Sequence, residues 1–152
     1  MTTTAPPAWR QDRDAYPHAF ELQPRYRDED MLRHVNNLSI AEYYDEVRSR
    51  LMREIFRRAG NPEGVRIVTA ETRVSYAGEV FYPDLIDIRS GLIRLGTASF
   101  TIGQAMFQGG RYVGFCDSVL VQAAATGAEP IHPGLREAME GLMIRQDKAE
   151  SE

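Results

Sequence analysis

The chain has 152 residues, 43% hydrophobic and 26% charged. That fits one globular domain able to bury its own core without a disulfide or metal, and it excludes wholesale disorder. Eighteen basic against twenty-two acidic residues leave a net charge of −4, which argues against a general nucleic-acid binder. No apolar run approaches the roughly 18–20 residues needed to span a bilayer.

The first stretch, MTTTAPPAWRQDRDAY, lacks the basic-then-apolar order of a signal peptide. It reads as a flexible polar tail over residues 1–16, followed by a single domain over 17–145 and a second flexible tail over 146–152. The lone cysteine, Cys116, cannot form an internal disulfide. A cytoplasmic protein, with no membrane and no nucleic acid as partner, is therefore expected.

Next comes a strand. In HAFELQPRYRDED the residues Phe20, Leu22, Pro24 and Tyr26 alternate with polar positions, and Pro24 suggests a sheet edge or a bulge. From Leu38 to Ala59 the apolar residues Ile40, Tyr44, Val47, Leu51 and Ile55 recur every three or four positions, the stripe of a long amphipathic helix. Acidic residues sit early in this stretch and arginines late, which suits the helix dipole. Gly60-Asn61-Pro62 ends it. Its start is capped either by a box formed by Ser39 and Glu42 or by Asn36 or Asn37.

Everything from Val65 to Ala123 reads as strand. The predicted strands run over Ile67–Tyr76, Leu85–Leu95, Thr97–Gln108 and Arg111–Gln122, with turns at Gly96 and at Gly109-Gly110. A short helix over Leu135–Met143 follows Pro133. The long helix can bury its stripe only against the sheet. An α+β arrangement results, with a curved antiparallel sheet of about five strands, the last four of them a meander, wrapped around a central helix. The free edges of such a sheet favour pairing with a second copy, hence a homodimer.

Several chemistries are excluded. Seventeen of the basic residues are arginine, and the one lysine, Lys148, lies in the charged C-terminal stretch, so a Schiff base has no buried lysine to use. There is no Gly-Lys for a phosphate loop and no Gly-x-Ser-x-Gly. His18, His34, His132 and Cys116 lack metal-ligand spacing, and neither a metal nor any other cofactor is expected. Cys116 is expected to be a buried structural residue. His18 and His132 are expected at the surface or as caps. Arg89, Arg94 and Arg111 are expected to be solvated strand charges rather than phosphate ligands.

The chemistry concentrates between residues 25 and 48. Asp28, Glu29, Asp30, His34, Asn36 and Asn37 crowd between a strand end and a helix start. A helix N-terminus offers unpaired N–H groups to a developing oxyanion, and a nearby carboxylate can act as general base or nucleophile. Ordinary helix capping accounts for the same residue types.

The block Asp28-x-Asp30-x-x-Arg33-His34-Val35-Asn36-Asn37, with Arg48 further on, resembles the signature of the 4-hydroxybenzoyl-CoA thioesterase-like group of hotdog-fold acyl-CoA thioesterases. Weaker resemblance continues through Tyr76-Ala-Gly-Glu and Leu95-Gly-Thr-Ala-Ser99 to the segment PIHPGLREAM. This likeness implies the hotdog fold, in a homodimer or a dimer of dimers with the site between subunits. It further implies hydrolysis of an acyl-CoA or acyl-carrier-protein thioester, with coenzyme A as part of the substrate.

By position, Asp30 matches the family's nucleophile or general base. Asn37 matches the residue offering its N–H to the thioester carbonyl, and His34 the residue that orients water or shapes the pocket. Asn36, Arg33 and Tyr43 fall on the expected substrate side. Ser75 and Tyr76 from the second strand, with Gly96, Thr97 and Ser99 from the hairpin, would complete the site from the partner. Arg33 stands where the family has Gly, and Ile40 where a Tyr is common. Two other readings compete: an acyl-thioester binding protein without turnover, and a dehydratase- or cyclase-type lyase of the same fold.

Overall fold

The computed structural model describes residues 5–146. Strand β1 spans His18–Leu22, helix α1 spans Asn37–Arg58, and β2 to β5 span Ile67–Tyr76, Ile86–Leu95, Ser99–Gln108 and Arg111–Ala124. A two-residue β6, Gly127–Ala128, and helix α2, Pro133–Glu140, complete the order. The predicted helix and strands recur to within about two residues, the uncertainty expected of element ends.

α1 lies in the hollow of the sheet. Its first half buries Ile40, Tyr43, Tyr44 and Val47 against Ile86, Ile88, Met106, Val113 and Cys116. Its second half buries Leu51 and Ile55 against Leu92, Phe100, Ile102 and Leu120, and α2 closes that end with Leu135, Ala138 and Met139. Every residue of the predicted stripe is buried. The helix stops where Gly60 and Asn61 take φ of 81° and 52°, a left-handed turn that glycine enters without steric cost.

The strands do not form a simple meander. Their spatial order is β1-β3-β4-β5-β2, with β6 beside the end of β5. Only β3, β4 and β5 follow one another as hairpins. β2 crosses over to pair antiparallel with β5, from Ile67 opposite Gln122 to Tyr76 opposite Gly114. The crossover leaves β2 as one edge of the sheet and carries Tyr76 to the start of α1. β1 keeps only its first five residues, and Tyr26 falls in a short 3-10 turn, 82% exposed.

The expected N-terminal tail is a correction over most of its length. Ala8–Gln11 and Arg13–Ala15 are short 3-10 helices, and Trp9, Arg10, Ala15 and Tyr16 are buried on the outer face of the sheet. At the other end, Ile144 donates its N–H to Leu92 and packs against the same outer cluster. Gln146 lies within the expected C-terminal tail and donates to the carbonyl of Ile93. The rest of that tail and the first four residues lie outside the described residues.

Candidate active site

Residues 29–35 fold back on themselves in a miniature hairpin. Glu29 bridges Val35, Asp30 donates its N–H to the carbonyl of His34 at 3.1 Å, and Arg33 donates to the carbonyl of Asp30 at 3.0 Å. The Asp30 carboxylate accepts the N–H of Leu32 at 2.9 Å, an Asx turn that shapes the tip. Arg33 closes the turn with φ of 63°. The glycine at this point of the family pattern thus answers a backbone need, and here an arginine meets it at a steric cost.

Three ties fix this hairpin. Val35 is buried and donates to the carbonyl of Val80 at 2.7 Å. Asn36 donates its N–H to the carbonyl of Asp28 at 2.8 Å. Asp28, 3% exposed, accepts the N–H of Arg25 at 3.1 Å, its guanidinium at 2.9 Å and the hydroxyl of Tyr43. Burial alone would raise the Asp28 carboxyl. The hydrogen bonds from Arg25 and Tyr43 outweigh burial and hold its pKa at about 2. Burial, then the same Asp28 contact, pushes the Tyr43 phenol up.

Asn36 caps α1, its side-chain oxygen accepting the N–H of Leu38 at 2.7 Å. Its amide nitrogen sits 3.5 Å from the Asp30 carboxylate. Asp30, half-buried, is thereby placed beside the first turn of the helix. Asn37 heads the helix, and its N–H meets no acceptor among the described residues. A small cavity of about 240 Å³ opens at this point, lined by His34, Asn37, Ile40, Tyr76, Glu79 and Val80 among others. The Tyr76 hydroxyl donates to the carbonyl of Asn37 at 3.3 Å.

The structure therefore brings His34, Asn37 and Tyr76 to one cavity within one chain, with Asp30, Arg33 and Asn36 in the turn that leads into it. Tyr43 is 5% exposed in the core, and its hydroxyl donates to Asp28. Ser75 is a correction. Its neighbours Val74 and Tyr76 serve the helix side of the sheet, so by strand alternation Ser75 stands on the outer face, opposite Phe115. Gly96, Thr97 and Ser99 lie towards the other end of α1, beside α2. Arg136 of α2 holds the carbonyls of Gly96 and Thr97 there. They are separated from Asn37 by most of a 22-residue helix, roughly 30 Å at 1.5 Å per residue.

On the cavity wall, Glu79 entered the sequence reading only as the end of the Tyr76-Ala-Gly-Glu likeness, and Val80 escaped it. They occupy the β2–β3 loop, which Gln108 clamps from below: its side chain accepts the N–H of Phe81 at 2.9 Å and donates to the carbonyls of Phe81 and Asp84. Arg111 adds a bond to the carbonyl of Glu79 at 2.8 Å. A second groove, of about 460 Å³, runs between α1 and the β2 edge. It is lined by Arg48, Met52, Arg53, Phe56, Ile67 and Leu120 among others, and Arg48 is anchored there to Ser118 and Asp45. The remaining residues have structural surroundings. Cys116 is buried, and that burial pushes its thiol up. His132 caps α2 by accepting the N–H of Gly134 at 3.0 Å. Among the described residues no group of three His, Cys, Asp or Glu could hold a metal ion, and no helix is long and apolar enough to cross a membrane.

Residues 24–139 match the family model described as the thioesterase-like superfamily. The chain belongs to that superfamily. Its fold is shared with a thioesterase from Thermus thermophilus solved with coenzyme A and zinc. The two are 24% identical, with a TM-score of 0.75 over 88% of this chain and 98% of that one. A protein from Pseudomonas aeruginosa is 23% identical, with a TM-score of 0.74 over 87% and 95%. A gentisyl-coenzyme A thioesterase is 17% identical, with a TM-score of 0.69 over 80% and 99%. These likenesses carry the hotdog fold. No curated protein matches the chain at a significant level.

Proposed function

We propose that this member of the thioesterase-like superfamily hydrolyses an acyl thioester, and that the reaction takes place at the N-terminus of α1. The observation that carries the proposal is the Asp30 carboxylate beside a helix start whose Asn37 N–H is open. The thioester carbonyl accepts that N–H. Asp30 removes a proton from water, and the resulting hydroxide adds to the carbonyl carbon; alternatively the carboxylate itself attacks and water cleaves the anhydride. The tetrahedral oxyanion stays at the helix N-terminus until the C–S bond breaks and the thiolate leaves with a proton. An oxyanion donor of this kind is typically worth 10²–10³ in rate. His34, on the cavity wall, is placed to orient the water or the thioester.

Coenzyme A as the carrier follows from the Thermus relative solved with it. A second copy completes the site in this proposal. The exposed middle of β2, from Thr69 to Arg73, is a free sheet edge, and pairing it with its equivalent would cover those N–H and C=O groups. It would also roof the groove along α1 with partner residues and bring the Gly96–Ser99 hairpin within reach of the other subunit.

Thiol release from short, long and aromatic acyl-CoAs tests this, with Asp30→Asn and Glu79→Gln beside the wild type. Hydrolysis lost in Asp30→Asn and kept in Glu79→Gln supports the assignment. The reverse pattern moves the base to Glu79. A folded wild type that binds acyl-CoA without releasing thiol, or hydrates an enoyl thioester instead, overturns the hydrolase in favour of a binding protein or a lyase.

A further inference from the structure

A row of polar side chains crosses the sheet beneath the middle of α1. Ser90 of β3, Gln104 of β4 and Ser118 of β5 are each fully buried, and they interrupt the apolar columns of their strands. Ser90 lies between Ile88 and Leu92, Gln104 between Ile102 and Met106, and Ser118 between Cys116 and Leu120. Ile88, Met106 and Cys116 belong to the core under the first half of α1, and Leu92, Ile102 and Leu120 to the core under the second. Thr72 of β2 extends the row, its hydroxyl 3.4 Å from that of Ser118. The polar row parts the two cores.

One turn of α1, from Tyr44 to Arg48, is bonded to this row. Gln104 donates its side-chain amide to the Tyr44 carbonyl and to the Ser90 hydroxyl, each at 3.1 Å. The Arg48 guanidinium donates to the Ser118 hydroxyl at 2.7 Å. Within the helix the Tyr44 carbonyl already takes the Arg48 N–H, so helix formation gives it no need of Gln104. Elsewhere α1 meets β3, β4 and β5 through apolar side chains, contacts with no preferred direction. Hydrogen bonds fix distance and angle. Gln104 also leaves its Oε1 without a donor among the described residues, a cost that an apolar residue of similar size avoids.

We propose that this row anchors α1 along the sheet, and that Gln104 is thereby a positioning residue for the Asn37 N–H. Asn37 precedes Tyr44 on the same helix, by roughly 10 Å at 1.5 Å per residue. A continuous helix passes a displacement at the anchor on to its first turn. A reacting group misplaced by about 1 Å can lose about 10²-fold in rate, so a small shift at Tyr44 matters. The kinetic consequence rests on the reaction proposed above; the placement of Asn37 does not.

Gln104→Met, close in volume and without the amide, tests it in the full chain. Gln122→Met is the control: Gln122 is also buried, but it bonds Glu129 and the N–H of His132 and makes no hydrogen bond to α1 among the described residues. Urea denaturation, kcat and KM for thiol release, and the amide resonances of Asn37 and Leu38 are measured on both. Gln104→Met should fold, displace those resonances and lower kcat by about tenfold or more, with KM within about twofold of wild type. Gln122→Met should keep wild-type resonances and kcat, whatever its stability. Unmoved resonances in a folded Gln104→Met overturn the proposal, and so does an equal loss of kcat in Gln122→Met. Displaced resonances with unchanged turnover overturn Gln104 as a positioning residue. A wild type that releases no thiol overturns the hydrolase alone, and the resonances then decide the anchor. If Gln104→Met does not fold, Ser118→Ala, which removes the acceptor of Arg48, must move the same resonances; failure to do so overturns the anchor.

Discussion

Asp28 and Asp30 stand two residues apart in the same motif, yet the structure gives them different tasks, and Asp28→Asn separates the two. Asp28 is 3% exposed, and the contacts from Arg25 and Tyr43 bring its pKa from 3.8 down to about 2. That difference corresponds to about 2.5 kcal/mol at about 1.36 kcal/mol per pH unit. The Arg25 side chain is half exposed, so about 2 kcal/mol is the better expectation. The folded-state pKa is depressed, so the stabilisation is complete above the unfolded pKa near 4 and is lost as pH falls toward 2. Asn at this position should lower stability at pH 7 by about 2 kcal/mol, roughly 4–8 °C in Tm for a chain of this size. It should also flatten the fall in stability between about pH 4 and pH 2. Urea denaturation at a series of pH values, followed by circular dichroism, measures both. Asp28→Asn with wild-type stability and an unchanged acid profile would refute the structural role. So would a folded variant that loses turnover as completely as Asp30→Asn.

Other substitutions probe the supports of the same site. Arg33→Gly relieves a left-handed arginine and should stabilise the fold by about 0.5–1 kcal/mol in urea denaturation, the steric relief being partly offset by glycine's entropy; a destabilised variant would show that the Arg33 side chain holds the turn. Gln108→Ala leaves the Phe81 N–H and two carbonyls without their partner and should cost about 2–3 kcal/mol. Hydrogen exchange should quicken first at Phe81 and Val35, and uniform quickening would contradict a local clamp. Tyr76→Phe removes only a 3.3 Å bond at an exposed site. It should change stability by less than about 0.5 kcal/mol while altering KM or kcat for thiol release, and unchanged kinetics would remove Tyr76 from the site.

Local pattern carried the elements and the motif but not their assembly. The stripe from Ile40 to Ile55 specifies one buried helix face, and alternation with glycine turns places β2 to β5 almost to the residue. The meander failed because register and partner choice are long-range properties. Nothing in the alternation of Ile67–Tyr76 says that its partner is β5 rather than β3. That pairing is what takes Tyr76 to Asn37 and turns Ser75 away. The burial of the N-terminal stretch was hidden for a related reason: Trp9 is a single aromatic in a polar stretch, and the cluster it joins, with Ala105 and Phe107 of β4 and Ile144 near the C-terminal end, is assembled only by the tertiary fold. Tyr43 packs into the core, and the partner of its hydroxyl, Asp28, lies 15 residues earlier, a pairing no local pattern displays.

On the proposed reaction, the motif serves to hold one N–H group open. Asp28 is spent on the loop, bonded from Arg25 and Tyr43 and lending its carbonyl to Asn36. Val35 ties the same loop to the β2–β3 segment, and Asn36 satisfies the N–H of Leu38. Here polar groups restrain the backbone around Asn37, which lies on the wall of the cavity, and Asp30 sits in the adjoining turn beside Asn36. Donors that need no rearrangement as charge develops are the ones that lower a barrier. In the proposed reaction the restrained backbone around Asn37 matters as much as Asp30. The same restraints also explain why an arginine can stand in glycine's place at position 33: what the site requires there is the left-handed backbone turn that Arg33 adopts, not a particular side chain.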